Sequence, residues 1–243
     1  MADGEVQFRS GVIKPVECLK AGWELVKTDY WVFFGITAVG ILLGSFAPFG
    51  ILIGPMLCGI YYCFLHTMDG DSSKFENLFK GFDYFLPGFI VVLIQIAVML
   101  VLMIPIYIFM AIGMFSVISV AAAGQKGPGA GVAVGSSMIL IYIVFFLLIM
   151  AVTTLLHLCF LFTFPLIVER KLKAVDSIKL SIKGAKANLG GMIILLILSG
   201  LLLLIGVIFC YVGAFFVLPA LFASFAHAYR QVFPKIEAVE VSE

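Results

Sequence analysis

The chain has 243 residues, of which 63% are hydrophobic and 12% charged, with 15 Lys+Arg against 14 Asp+Glu and a net charge of +1. Soluble domains are about half apolar and about a quarter charged, so a water-soluble fold is excluded for want of polar surface. The near-zero net charge gives no electrostatic case for nucleic acid.

The charges cluster at 1–29, 69–83, Lys126, 169–186 and 230–243, leaving charge-free stretches at 30–68, 84–125, 127–168 and 187–229. One helical span needs about 20 apolar residues to cross roughly 30 Å of hydrocarbon. The polar start, 1–10, has no basic n-region or cleavage site, so the first span is expected to be an uncleaved anchor. The first stretch reads as 31–46, a turn at Ala47-Pro48-Phe49-Gly50, then 51–68. The two middle stretches read as one long span each, near 88–113 and 138–168, joined by a glycine-rich loop at 123–131. Residues 114–122 either extend the third span or fold beside the bundle. The last stretch reads as 192–209, a break at Cys210-Tyr211-Val212-Gly213, then 214–229. The expected fold is all-α, a polytopic bundle of six transmembrane helices in one membrane domain. The two short hairpins are compatible with full spans or with re-entrant tips.

Fourteen of the fifteen Lys and Arg residues then fall on one side, and only Lys126 on the other. The positive-inside rule predicts a multi-pass membrane protein with both termini in the cytoplasm.

Three segments on the basic side are two-faced. Val12, Val16, Leu19, Trp23, Val26 and Tyr30 repeat at helical spacing, opposite Lys14, Glu17, Lys20, Glu24 and Lys27. Val175, Ile178, Ile182, Ala185 and Leu189 do the same opposite Lys173, Asp176, Lys179, Lys183 and Lys186. Phe75, Phe79, Phe82 and Leu86 share this phase, opposite Lys74, Glu76, Lys80 and Asp83. The first two segments align without gaps at an offset of 159, which pairs Val16 with Val175 and Lys20 with Lys179. The pattern predicts three units, 10–68, 72–170 and 171–232, followed by a polar tail, 233–243. Each unit is an interfacial amphipathic helix and a two-span hairpin, with Pro55, Pro165 or Pro219 in the second span.

Reactive groups are scarce. The charge-free stretches hold no carboxylate or cation, so neither proton coupling nor paired-carboxylate catalysis is expected. His66, His157 and His227 have no i, i+4 partner and are read as hydrogen-bonded neutral side chains rather than metal ligands. Cys18, Cys58, Cys63, Cys159 and Cys210 form no Cys-x-x-Cys motif, and a structural disulfide is not expected. Small residues one turn apart are assigned to close helix packing: Gly54 with Cys58, Ala220 with Ser224, and Gly206 with Cys210.

Gly54-Pro55 with Gly59, Leu78-Phe79-Lys80-Gly81-Phe82, Ala174-x-x-Ser177-x-x-x-Ser181, and Pro219 with Ala228-Tyr229-Arg230 together resemble a loose group of bacterial six-span membrane proteins. Some members of that group resemble the membrane domain attached to glycerophosphoryl diester phosphodiesterases. The resemblance spans roughly 10–232 and implies fold rather than activity, because the soluble phosphodiesterase barrel and its acidic metal ligands are absent.

The functional expectation is a non-enzymatic scaffold or accessory subunit without a cofactor. Its partners would be membrane lipids and other membrane-protein subunits. Lys171, Lys173, Lys179, Lys183 and Lys186 are the candidate lipid-headgroup residues, since each near-surface charge contributes about 1 kcal/mol toward an anionic leaflet. The alternative is a transporter or channel for a small neutral or lipidic solute, with helix breaks at Pro55, Pro165 and Pro219 forming its site.

Overall fold

The computed structural model describes residues 8–46, 50–72, 74–122, 130–208 and 212–235. The expected turn at 47–49, most of the loop 123–131 with Lys126, Cys210 and Tyr211, and the tail from 236 lie outside the described residues. Among the described residues the chain is helical, with no strand: α1 (Pro15–Lys27), α2 (Tyr30–Phe46), α3 (Ile53–Met68), a 3-10 segment (Phe75–Tyr84), α4 (Phe85–Ala122), α5 (Ala130–Phe160), α6 (Thr163–Arg170), α7 (Ala174–Ala187), α8 (Leu189–Ile208) and α9 (Val212–Val232).

Among the described residues four stretches are long and apolar enough to cross a membrane: Phe75–Ser119, Gly135–Arg170, Leu189–Ile208 and Val212–Val232. The protein is therefore a multi-pass membrane protein. The two helices of the first hairpin are shorter. At 1.5 Å per residue, α2 and α3 are about 26 and 24 Å long, less than the roughly 30 Å of hydrocarbon. The amphipathic α1 meets α2 at a 104° bend, which sets it across the direction of the following helix.

The chain divides into two compact units, Met1–Val92 with Leu158–Glu243, and Leu93–His157. The smaller unit consists of α4 from Leu93 and α5 up to His157. Residues 114–122 continue α4, so that helix is 38 residues and about 57 Å long. Tyr107 and Phe145 meet edge-on at 5.3 Å, and a wholly apolar groove of about 240 Å³ runs between Ile106, Met110, Ile141 and Phe145.

The larger unit has its core on α3, α6 and α9. Most of α3 is buried, from Gly54 to Leu65, as are Thr163–Val168 of α6 and Leu221, Ala223, Ser224, Ala226, Ala228 and Tyr229 of α9. Phe33 of α2 stacks on Phe64 of α3 at 5.0 Å, and Phe162, Tyr229 and Phe233 form a ring cluster. The basic-side ends of the three core helices converge. Arg230 donates to Asp69 and to Glu169, and Arg170 donates to the Pro234 carbonyl.

Glycine allows the closest helix approaches. A Cβ on Gly22 of α1 would lie 2.4 Å from Ser224 Oγ and 2.8 Å from the Ala220 carbonyl. One on Gly59 would lie 2.0 Å from the Leu78 carbonyl, and one on Gly81 would lie 2.1 Å from the Pro55 carbonyl. Two of the three expected small pairs work as packing faces: Ala220 and Ser224 receive α1, and Gly54 with Cys58 receives Gly88.

The span expected at 138–168 falls within one crossing-length stretch, Gly135–Arg170, but that stretch is built of two helices. It breaks at Leu161 and Phe162, between α5 and α6. Pro165 has no N–H to give and its ring crowds the carbonyl four residues back, at Leu161, which favours a break there. The Ser181 hydroxyl of α7 takes up two groups the break releases. It accepts from the Phe162 N–H at 3.2 Å and donates to the Cys159 carbonyl at 2.7 Å.

Candidate lipid-headgroup site

The interfacial elements sort their residues into three sectors, where the sequence pattern distinguishes only two. In α1 the buried stripe is Cys18, Gly22 and Val26, set against α9. Val16 and Trp23, which share the apolar face in the sequence pattern, are more than half exposed beside the charged sector. In α7 the buried stripe is Ser177, Ser181 and Ala185, while Val175 and Leu189 are exposed. The offset of 159 aligns these stripes residue by residue. In the 3-10 segment Leu78 and Gly81 are buried, and Phe75, Phe79 and Phe82 face outward, as does Leu86 at the start of α4. The physical reason is contact distance. Small residues let backbones touch, so they take the protein side and leave the large apolar side chains exposed.

Lys171, Lys173, Lys179, Lys183 and Lys186 are all exposed, and no ion pair joins any of them to another described residue. Two of the five are brought to a groove. Lys171 ends α6 in the left-handed region at φ 51°, which turns the chain sharply into α7. Lys173 is the N-cap residue of α7, and its carbonyl accepts from the Ser177 N–H and hydroxyl. With Leu172, Ala174, Val175 and Asp176 they form one wall of a groove of about 630 Å³, and Leu86, Pro87 and Ile90 at the start of α4 form the other. Lys179, Lys183 and Lys186 lie further along α7, on the exposed sector next to Val175. The sequence singled out the lysines but not the groove, since residues 86–90 and 171–176 are distant in the chain.

The three prolines play different parts. Pro55 and Pro165 are each the third residue of a helix, behind N-cap residues of nearly the same conformation, Leu52 (φ −90°, ψ −7°) and Phe162 (φ −92°, ψ −1°). There the missing N–H has no helical acceptor to lose. Pro219 lies inside the continuous α9. All three are buried, and none lines either groove described above.

Among the described residues no three His, Cys, Asp or Glu side chains come together as a metal site. His66 pairs with Asp71 at 2.8 Å. Cys18, Cys58 and Cys63 are buried free thiols, and Cys159 is a free thiol at intermediate exposure. Burial raises the Cys18 thiol to about 11, partly offset by a hydrogen bond to the Lys14 backbone.

Comparison with known protein families, with curated proteins and with solved structures finds no significant match.

Proposed function

We propose that this protein is a non-catalytic scaffold or accessory subunit of a bacterial inner (plasma) membrane that binds phospholipids and, through them or beside them, other membrane proteins. The observation that carries the reading is the α6–α7 surface. Five exposed lysines stand there beside exposed Val175 and Leu189, and Lys171 and Lys173 stand over an apolar groove. Cations above apolar side chains match the boundary between headgroups and acyl chains. The charge asymmetry of fourteen Lys and Arg to one supports termini in the cytoplasm. The matched buried stripes of α1 and α7, and the matched starts of α3 and α6, support descent from repeated units.

The test is purification of the tagged protein in mild detergent, with mass spectrometry of the proteins and lipids that accompany it. The native chain is expected to carry anionic phospholipid. Replacing Lys179, Lys183 and Lys186 with Gln should reduce that lipid by more than half. Equal anionic lipid in both preparations would remove the lipid part of the reading.

A further inference from the structure

We propose that the groove between α4 and α7 is a site for a single aminophospholipid, a lipid whose headgroup carries a primary ammonium beyond its phosphate. This deepens the lipid-binding reading and rests on it.

The groove's charges decide the class. Its wall presents two cations, Lys171 and Lys173, and one carboxylate, Asp176. None of the three is ion-paired with another described residue. A headgroup with phosphate alone would satisfy the lysines and set its negative charge beside Asp176. A headgroup with phosphate and ammonium meets both signs, the phosphate at the lysines and the ammonium at the carboxylate. An ammonium also brings the N–H donors that a carboxylate accepts. The opposite wall, Leu86, Pro87 and Ile90, is apolar and belongs to a helix that enters the membrane, so it suits the first carbons of an acyl chain. The volume of about 630 Å³ lies in the range of small-molecule sites, roughly 300–1,000 Å³. The first-turn amides of α7 have no side-chain cap and add to the phosphate end.

The experiment is native mass spectrometry of the full chain, delipidated in mild detergent and given equal amounts of phosphatidylethanolamine and phosphatidylglycerol. One phosphatidylethanolamine per chain should be retained about fivefold over phosphatidylglycerol, the scale of one near-surface charge interaction. Asp176→Asn should erase that preference while phospholipid is still held. Lys171→Gln with Lys173→Gln should lower retention of both lipids. Ile90→Trp, which narrows the groove without touching α7, should release the bound lipid from a chain that still elutes as a single species. Equal retention of the two lipids by the native chain, or a preference that survives Asp176→Asn, overturns the aminophospholipid assignment and leaves general lipid binding standing. No retention of either lipid, with the lysine variants unchanged, overturns both.

Discussion

One Arg230 nitrogen lies 2.9 and 3.0 Å from the two carboxylate oxygens of Asp69, a residue 161 positions earlier in the chain. The other terminal nitrogen of the same guanidinium donates to Glu169. One side chain on α9 thereby holds the ends of α3 and α6. The Arg230 and Glu169 side chains are only 13% and 15% exposed, so these are not solvent-screened surface pairs. Lys235 meets Asp69 from the rim at 3.1 Å.

Arg230→Gln should therefore destabilise the larger unit by about 2–4 kcal/mol, since it leaves two neighbouring carboxylates with their principal cation gone. Arg230→Lys should recover only part of this, because an ammonium cannot span two carboxylates as a planar guanidinium does. Melting of the detergent-solubilised protein measures both. A glutamine variant that melts with the native chain would show that the cluster does not hold the helix ends.

Gly59→Ala and Gly81→Ala should each disrupt the contact of α3 with the 3-10 segment. Their Cβ atoms would fall 2.0 and 2.1 Å from backbone carbonyls, which cannot rotate away as a side chain can. A cost of about 1–3 kcal/mol or more is expected. Gly200→Ala, in open space on α8, serves as the contrast and should be stabilising by up to about 1 kcal/mol. Gel filtration and melting of the three variants separate the two behaviours.

Ser181→Ala should cost about 1–3 kcal/mol, because the Phe162 N–H and the Cys159 carbonyl lose their partner at a buried helix break. Ser116→Ala removes a hydroxyl that bonds only to its own helix, at the Ile112 carbonyl, and should be near neutral. Hydrogen exchange at Phe162 reads the effect locally.

Cys18 should resist maleimide at pH 8. A thiol displaced to about 11 is deprotonated in roughly one molecule per thousand at that pH, and only the thiolate reacts. Raising the pH to 9 increases the thiolate about tenfold, so any labelling should rise with pH. A cysteine placed at the exposed Lys20, with Cys18 changed to Ser, should label fast on the same helix. Rapid labelling of native Cys18 at pH 8 would mean that the α1–α9 contact opens.

The amino-acid sequence alone determined the membrane class, the helical architecture, the basic side and the lysines of α7. Each is a matter of composition or period, written locally in the chain. It also assigned Gly54 to close helix packing, and singled out Gly59, Gly81, Ser177 and Ser181 without assigning them roles. Tertiary structure decided the rest. It divided 138–168 at Leu161 and Phe162, where Ser181 from another helix takes the released bonds. It turned the apolar faces of α1 and α7 so that small residues meet protein while Val16, Trp23 and Val175 face outward. It also joined Asp69, Glu169 and Arg230, and closed a groove between residues 86–90 and 171–176. These outcomes rest on which backbones can approach within a Cβ's width, and the positions that decide that distance lie on different helices, far apart in the chain.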